Sequence, residues 1–300
     1  MSSHVRLLVV DGHAYAYRAF HAIRPLHSPS GRPTNAIFGF TKALAKLRDS
    51  LQPSHVAVVW DGGLSAERVA ALPGYKAQRL EMPAALAEQL DEIVSYLQAA
   101  GVASLCAPGV EADDWIAGLA RAAAAHGLAV VIASPDKDFL QLVTPEVGLV
   151  NPGDKTGRIW TEADVRARAG VSPAQIVGWL SLVGDSVDNI PGVAGVGPKT
   201  AADLLNEFGS VEALYQRLDC LKSDKLRASL QAAAADVRRN LELIRLRDEL
   251  PRAFAPAEFE PRPADRERLR ELGRRWGFKT LGVEAGGGET LQGDLFASPV

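Results

Sequence analysis

Nine acidic residues fall in short clusters bounded by glycines or apolar runs: Asp11; Asp61; Glu111, Asp113 and Asp114; Asp136 and Asp138; Asp185 and Asp188. Carboxylates gathered in one place repel unless a cation sits among them, and an all-oxygen ligand set suits Mg²⁺ or Mn²⁺ rather than zinc. Taken singly, each motif has a plainer explanation. Gly109 to Asp114 puts three acids at a helix start, where capping and the helix dipole favour them. Asp136 and Asp138 can form an Asx turn and a cap, and Asp185 and Asp188, three apart, can simply share a helix face. Five clusters at strand ends or helix starts are harder to attribute to capping alone, and they point to a site for two hard divalent cations.

Positioning those residues falls to the apolar runs before them. Val5 to Val10 precedes Asp11, Val56 to Trp60 precedes Asp61, and Val130 to Ser134 precedes Asp136; such β-branched runs read as buried parallel strands. Between them, Asn35 to Leu51, Ala84 to Ala100, Ala112 to His126 and Asp138 to Val143 carry apolar residues at helical spacing. The alternation predicts an α/β fold with a mostly parallel central sheet flanked by helices, whose strand ends share one edge. Beyond Trp160 the strand signal stops. Thr161 to Ala169, Pro173 to Gly184, Lys199 to Phe208, Val211 to Leu218 and Lys222 to Arg247 all read as helices, with caps at Thr161 and Ser172. The expected organisation is an α/β domain over residues 1–160, a helical region over 161–280 and a flexible tail over 281–300, which begins at the glycine run Gly286 to Gly288. A stretch from Asp61 to Met82, holding Arg68, Tyr75, Lys76 and Arg79, is neither a clear strand nor a short turn, and long segments at the active edge of a sheet tend to be functional.

At 300 residues, 47% hydrophobic and 23% charged, the chain can bury a sizeable core. It reads as a soluble protein with no signal peptide and no membrane partner, because charged residues break every long apolar stretch. Cytoplasm is the expected location, in association with the nucleoid. Two distant cysteines, Cys106 and Cys220, lack ligand spacing and are expected to be small buried residues. The net charge of −3 hides local fields: Arg262 to Lys279 carries seven basic and three acidic residues, a face for phosphate or simply a solvated helix.

Directly after Asp188 comes Ile190-Pro-Gly-Val-Ala-Gly-Val-Gly-Pro-Lys-Thr-Ala201. Glycines at these spacings make a tight turn between helices and expose backbone N–H groups to a phosphate. The run resembles a helix-hairpin-helix DNA-binding motif over about 186–208. With it, Val10-Asp11-Gly12, Tyr17 to Phe20, Trp60-Asp61, Gly74-Tyr75-Lys76, Gly109 to Asp114, Ser134 to Asp138 and Gly184 to Ala201 stand in the order of one family. The chain is similar to the flap endonuclease family, in particular the bacterial 5′-nuclease type found at the N-terminus of DNA polymerase I and in phage and stand-alone forms. The likeness covers about residues 5–250.

That resemblance implies a PIN-like 5′-nuclease fold with a helical arch built from about 62–82, and a monomer acting on DNA with a 5′ flap, a nick or an RNA primer. It implies two Mg²⁺ ions (or Mn²⁺) among all nine acids, contacts from Lys76 and Arg79 to the scissile phosphate, and nearby phosphates held by Arg18 and Arg68. Tyr75 and the hairpin residues Gly192, Gly195, Gly197 and Lys199 are expected to contact DNA, with K⁺ bound at the hairpin. Trp60, where relatives commonly carry Phe, is a departure that packing can absorb. The tail Gln292-Gly-Asp-Leu295-Phe296 looks like a peptide that docks on a sliding clamp, with Gln292, Leu295 and Phe296 as its anchors. Residues 251–300 are too few for a polymerase, so the chain is expected to be a stand-alone nuclease, a natural short form or a piece of a larger enzyme. Two other classes remain: a catalytically weak junction-binding protein that recruits partners, and a PIN-type ribonuclease. The carboxylate set with Lys76 speaks against the first, and the hairpin and arch segment against the second.

Overall fold

The computed structural model describes residues 7–154 and 156–278. Five strands form one sheet: β1 (Leu7–Asp11), β2 (His55–Val59), β3 (Ala103–Leu105), β4 (Val130–Ala133) and β5 (Val147–Val150), in the spatial order β3-β2-β1-β4-β5. Every pairing is parallel, so the expected mostly parallel sheet is met. β1 lies at the centre and all five of its residues are buried. Leu7 and Val9 face one core while Leu8 and Val10 face the other, as the period of two requires when helices cover both faces.

One face is covered by α1 (Gly12–Ala22), α2 (Asn35–Leu51), α4 (Ala84–Ala99) and α12 (Arg266–Trp276), the other by α5 (Ala112–Ala125) and the later helices. The chain runs outward from β1 through β2 to β3, then returns to place β4 on the other side of β1. The topological switch point therefore lies between β1 and β4, where open α/β sheets place their ligands. Register puts Val10 beside Val58 and Ala133, so Asp11, Trp60 and Ser134 emerge together at one edge.

Trp60 packs its ring on Phe40 at a 5.8 Å centroid separation and donates from Nε1 to Ser104 Oγ. The same indole explains Gly12, where a Cβ would meet the ring at 2.7 Å. Beyond β5 come α6 (Glu162–Ala169), α7 (Ile176–Val183), α8 (Pro198–Phe208), α9 (Val211–Gln216), α10 (Asp224–Ala232) and α11 (Ala234–Ile244). Thr161 and Asp164 form the full capping box at the start of α6. The single helix expected from Lys222 to Arg247 is instead α10 and α11, separated at Ala233. Fully buried Asn240 of α11 donates to Ser181 O of α7 and to Pro191 O of the hairpin, tying the three together.

The basic run forms α12, which turns Leu269, Leu272 and Trp276 inward and pairs Arg268 with Glu271 and Arg275 with Glu92. Both cysteines are exposed, against the expectation that they would be buried. No helix among the described residues is long and apolar enough to cross a membrane. The clamp-peptide residues Gln292, Leu295 and Phe296 lie outside the described residues.

Candidate active site at the sheet edge

Asp11 ends β1 and caps α1, with Oδ1 accepting from Ala14 N and Oδ2 from Ser134 Oγ at 2.9 Å, across the switch point. Asp61 follows β2; its amide donates to His13 Nδ1 and its carboxylate accepts from Gly63 N. After β4, Asp136 caps the 3-10 turn Lys137–Leu142 by accepting from Asp138 N, so the cap and the cluster are the same residue. Glu111 is the residue before α5, and Asp113 and Asp114 lie in its first turn. Asp185 and Asp188 stand on a loop closed by paired hydrogen bonds between Asp185 and Ile190. Single carboxylate oxygens of Asp138, Asp185 and Asp188 lie within 4.8 Å of one another.

The segment after Asp61 reaches over this edge. It contains one short helix, α3 (Ala66–Ala71), and a turn in which Lys76 adopts φ 55°. Ser65 donates its amide to Glu111 Oε1, Lys76 donates its amide to Asp188 O, and Asn189 donates to Gly74 O. The segment is thus stitched both to the start of α5 and to the Asp185–Asn189 loop. Lys76 Nζ lies 2.5 Å from Glu111 Oε2, 3.7 Å from Asp113 and 4.0 Å from Asp188. Tyr75 is buried, and its hydroxyl donates to Glu111 Oε2. Arg79 meets Asp188 Oδ1 at 2.9 Å with 41% of its side chain exposed.

The electrostatics divide the carboxylates. Burial lifts Asp11 to about 6, with Asp136 and Asp61 adding repulsion and hydrogen bonds from Ala14 and Ser134 opposing it. Burial also raises Asp113 and Asp138 well above the usual carboxylate range, and Asp136 is the largest charge pushing each further. Burial raises Asp188 against the pull of Lys76 and Arg79. Glu111 moves the other way: burial raises it, but Lys76, the Ser65 amide and Arg68 together outweigh that desolvation. Burial depresses the Lys76 ammonium, but Asp113, Asp188 and Glu111 more than reverse this and hold it charged.

Asp114 and Arg68 pair with one another. The guanidinium forks onto both Asp114 oxygens at 2.7 and 2.8 Å, and its remaining N–H groups donate to Leu243 O and Arg245 O. Asp114 also accepts from Arg247 N. Arg68 is 3% exposed and in this arrangement fastens α3 to α5 and to the end of α11. Asp114 has both oxygens occupied, which sets it apart from the carboxylates that face one another.

The remaining expected residues are spread more widely. Arg18 is exposed on α1. Gly195 takes φ +81°, Gly197 caps α8, and Lys199 is exposed in its first turn. A cleft of about 700 Å³ between Leu72, Gln78, Gly184, Asp185, Asn189 and Gly192 joins the hairpin to the acidic edge. Sequence reasoning missed two residues. His13 accepts from the Asp61 amide on Nδ1, and burial keeps its pKa below the usual value, so the neutral ring fixes the start of the Asp61 turn. Lys137 places Nζ 2.5 Å from Asp185 Oδ2, and its only signal in the sequence is its position between Asp136 and Asp138.

The donor set fits hard divalent cations. All facing ligands are carboxylate oxygens, several are raised by mutual repulsion and burial, and buried Asp138 Oδ1 has no hydrogen-bond partner among the described residues.

Residues 6–170 match the family model of the 5′-3′ exonuclease N-terminal resolvase-like domain, and residues 171–267 that of the 5′-3′ exonuclease C-terminal SAM fold. A 5′-3′ exonuclease of Aquifex aeolicus is 36% identical over 275 residues, covering 92% of this chain and 93% of that one. The DNA polymerase I of Thermus thermophilus is 39% identical over 281 residues, 94% of this chain but 33% of the polymerase, so the chain spans about a third of that relative. Among solved structures, the phage T5 D15 protein co-crystallised with metal ions superposes with a TM-score of 0.67 at 27% identity, covering 80% of this chain and 89% of that one. The Rad2 catalytic core in complex with DNA gives 0.63 at 17% identity over 92% of this chain and 89% of that one, a likeness of fold alone. Two adjoining family models account for both the α/β part that carries Asp11 to Asp138 and the helical part whose loop carries Asp185 and Asp188, and this chain belongs to the 5′-3′ exonuclease family.

Proposed function

We propose that the chain is a divalent-metal-dependent, structure-specific 5′-3′ nuclease. It would hydrolyse phosphodiester bonds at 5′ flaps, nicks and RNA primers, acting as a monomer on DNA in replication and repair. The observation that carries this reading is the inward-facing group of Asp11, Asp113, Asp136 and Asp138. The Asp136 charge adds to the burial that raises Asp11, Asp113 and Asp138, and Asp138 Oδ1 has no hydrogen-bond partner among the described residues, with the cations Lys76 and Arg79 close by. Asp11, Asp61, Asp113, Asp136, Asp138, Asp185 and Asp188 would hold two Mg²⁺ or Mn²⁺ ions. Glu111 would sit beside them, held by Lys76, and Asp114 would hold the fold through Arg68. The ions supply activation of a water and stabilisation of a leaving oxygen at phosphorus.

The chain's own residues do the rest. Lys76 is kept charged, and its strained turn is fixed by the Asp188 carbonyl, so it offers a preorganised positive charge to a phosphate. Arg79, half exposed, can turn from Asp188 to the same group. Arg18 and Lys199 would meet backbone phosphates on either side, and the Gly192 to Gly197 hairpin would present its N–H groups to the duplex and its carbonyls to K⁺.

The test is cleavage of a 5′-labelled flap DNA beside blunt duplex and single strand, with Mg²⁺ and with EDTA, for the wild type and Asp185→Ala. Metal-dependent cutting near the flap base that is lost in the variant is expected. Tight flap binding without cutting would replace this reading with that of a recruiting protein.

A further inference from the structure

Besides Arg68, the cations Lys76, Arg79 and Lys137 face the carboxylates among the described residues, and they differ in freedom. Lys76 is 1% exposed and anchored through its backbone, and Arg79 is 41% exposed on Asp188. Lys137 is 39% exposed and closes on Asp185, whose side chain is 8% exposed. Both Asp185 oxygens already have a partner in this arrangement: Oδ1 accepts from Val187 N and Oδ2 from Lys137 Nζ. Yet Asp185 belongs to the trio of oxygens within 4.8 Å that a cation would use. An ammonium on one oxygen of Asp185 and a divalent cation on the same carboxylate repel at such range, so each weakens the other's hold on Asp185. The Lys137 backbone is fixed between Asp136 and Asp138, but four methylenes and an exposed path let its charge swing outward while remaining protonated.

We infer that Lys137 is an internal counter-ion that occupies Asp185 in the absence of metal. On cation binding it is displaced onto a phosphate of the bound nucleic acid strand, becoming a substrate-contacting residue. This rests on the proposed metal site. It makes cation and substrate binding cooperative, because the first releases a charge that the second uses.

Ca²⁺, another hard oxygen-ligated cation, serves as the probe on the full chain, by titration calorimetry without DNA and by flap binding across a salt series. Lys137→Met should tighten Ca²⁺ binding by about tenfold through loss of the competing charge. In Ca²⁺ the same variant should flatten the slope of log affinity against log salt by about one unit, with no change of slope in EDTA. Lys137→Arg should keep both wild-type behaviours. A damaged fold would weaken cation and DNA binding together, whereas this exchange moves them in opposite directions. Unchanged or weaker Ca²⁺ binding in Lys137→Met, or an unchanged slope in Ca²⁺, overturns the inference. Asp185→Asn separates the two readings. If it binds Ca²⁺ as the wild type does, the metal site itself is wrong. If it loses Ca²⁺ while Lys137→Met behaves as wild type, only the role of Lys137 falls.

Discussion

Asp113 and Asp114 are neighbours in one helical turn and live in opposite electrostatic worlds. Asp113 faces Asp136, Asp11 and Asp138, and its proton is held tightly by burial and repulsion. Asp114, about 100° round the helix, meets a guanidinium fork and backbone N–H groups. The first environment is only partly offset by Lys76 at 3.7 Å, and the second is satisfied already. Acidic residues therefore divide here into those that crowd one another at the sheet edge and those that secure the scaffold, and for Asp114 it is the guanidinium of Arg68 that decides.

The largest separation should come from Asp138→Asn. Removing one facing carboxylate should lower Mg²⁺-dependent cleavage by about 10³-fold, the equivalent of several kcal/mol of transition-state stabilisation. Stability without metal should stay the same or rise, since a repulsion is relieved. A urea midpoint that drops sharply would place Asp138 with the scaffold instead.

Arg68→Met should do the reverse, destabilising the fold by about 3–5 kcal/mol because buried Asp114 is left uncompensated. Adding Asp114→Leu should recover most of that in urea unfolding. If the double variant is as unstable as the single one, or if Asp114→Leu abolishes cation binding in a folded protein, the division between the two carboxylates fails.

A smaller effect appears with pH. Asp11 is raised from 3.8 to about 6 in the fold, so over that window the unfolded chain binds fewer protons than the native one, and its contribution makes stability fall as pH rises. Glu111 is lowered, so its contribution is present above 4.5 and lost as pH falls below it. Urea midpoints from pH 4 to 7 in EDTA should therefore decline more steeply with pH in the wild type than in Asp11→Asn. Excess Mg²⁺ should remove the difference. Parallel curves in EDTA would show that Asp11 carries no stored repulsion.

Much of this is readable from residue order. β1, β2 and β4 announce themselves because both faces of a parallel strand are buried, and the acids that follow inherit a common edge from the register. β3 is Ala103-Ser-Leu105 and β5 has Gly148 near its centre, so neither shows the β-branched run that would mark it as a strand. The break at Ala233 lies among alanines, which favour helix on both sides, and only packing of α11 on α7 decides it. Charge partners are hidden for a similar reason. The resemblance alone assigns Arg68 to a phosphate, and its contacts with Asp114, Leu243 and Arg245 come from positions 46 to 177 residues away. Local spacing carries no signal for such pairs.

The glycines at the entrance to the hairpin leave a last consequence. A Cβ on Gly192 would stand 2.0 Å from Val183 O, and one on Gly184, at φ +80°, 2.4 Å from Gly192 N. The end of α7, the loop bearing Asp185 and Asp188, and the first turn of the hairpin are thereby packed backbone against backbone. On the proposed function, the grip on the duplex and the point of scission are two marks on the same ruler. The length of the product would then be measured by protein backbone, indifferent to which bases lie between the marks.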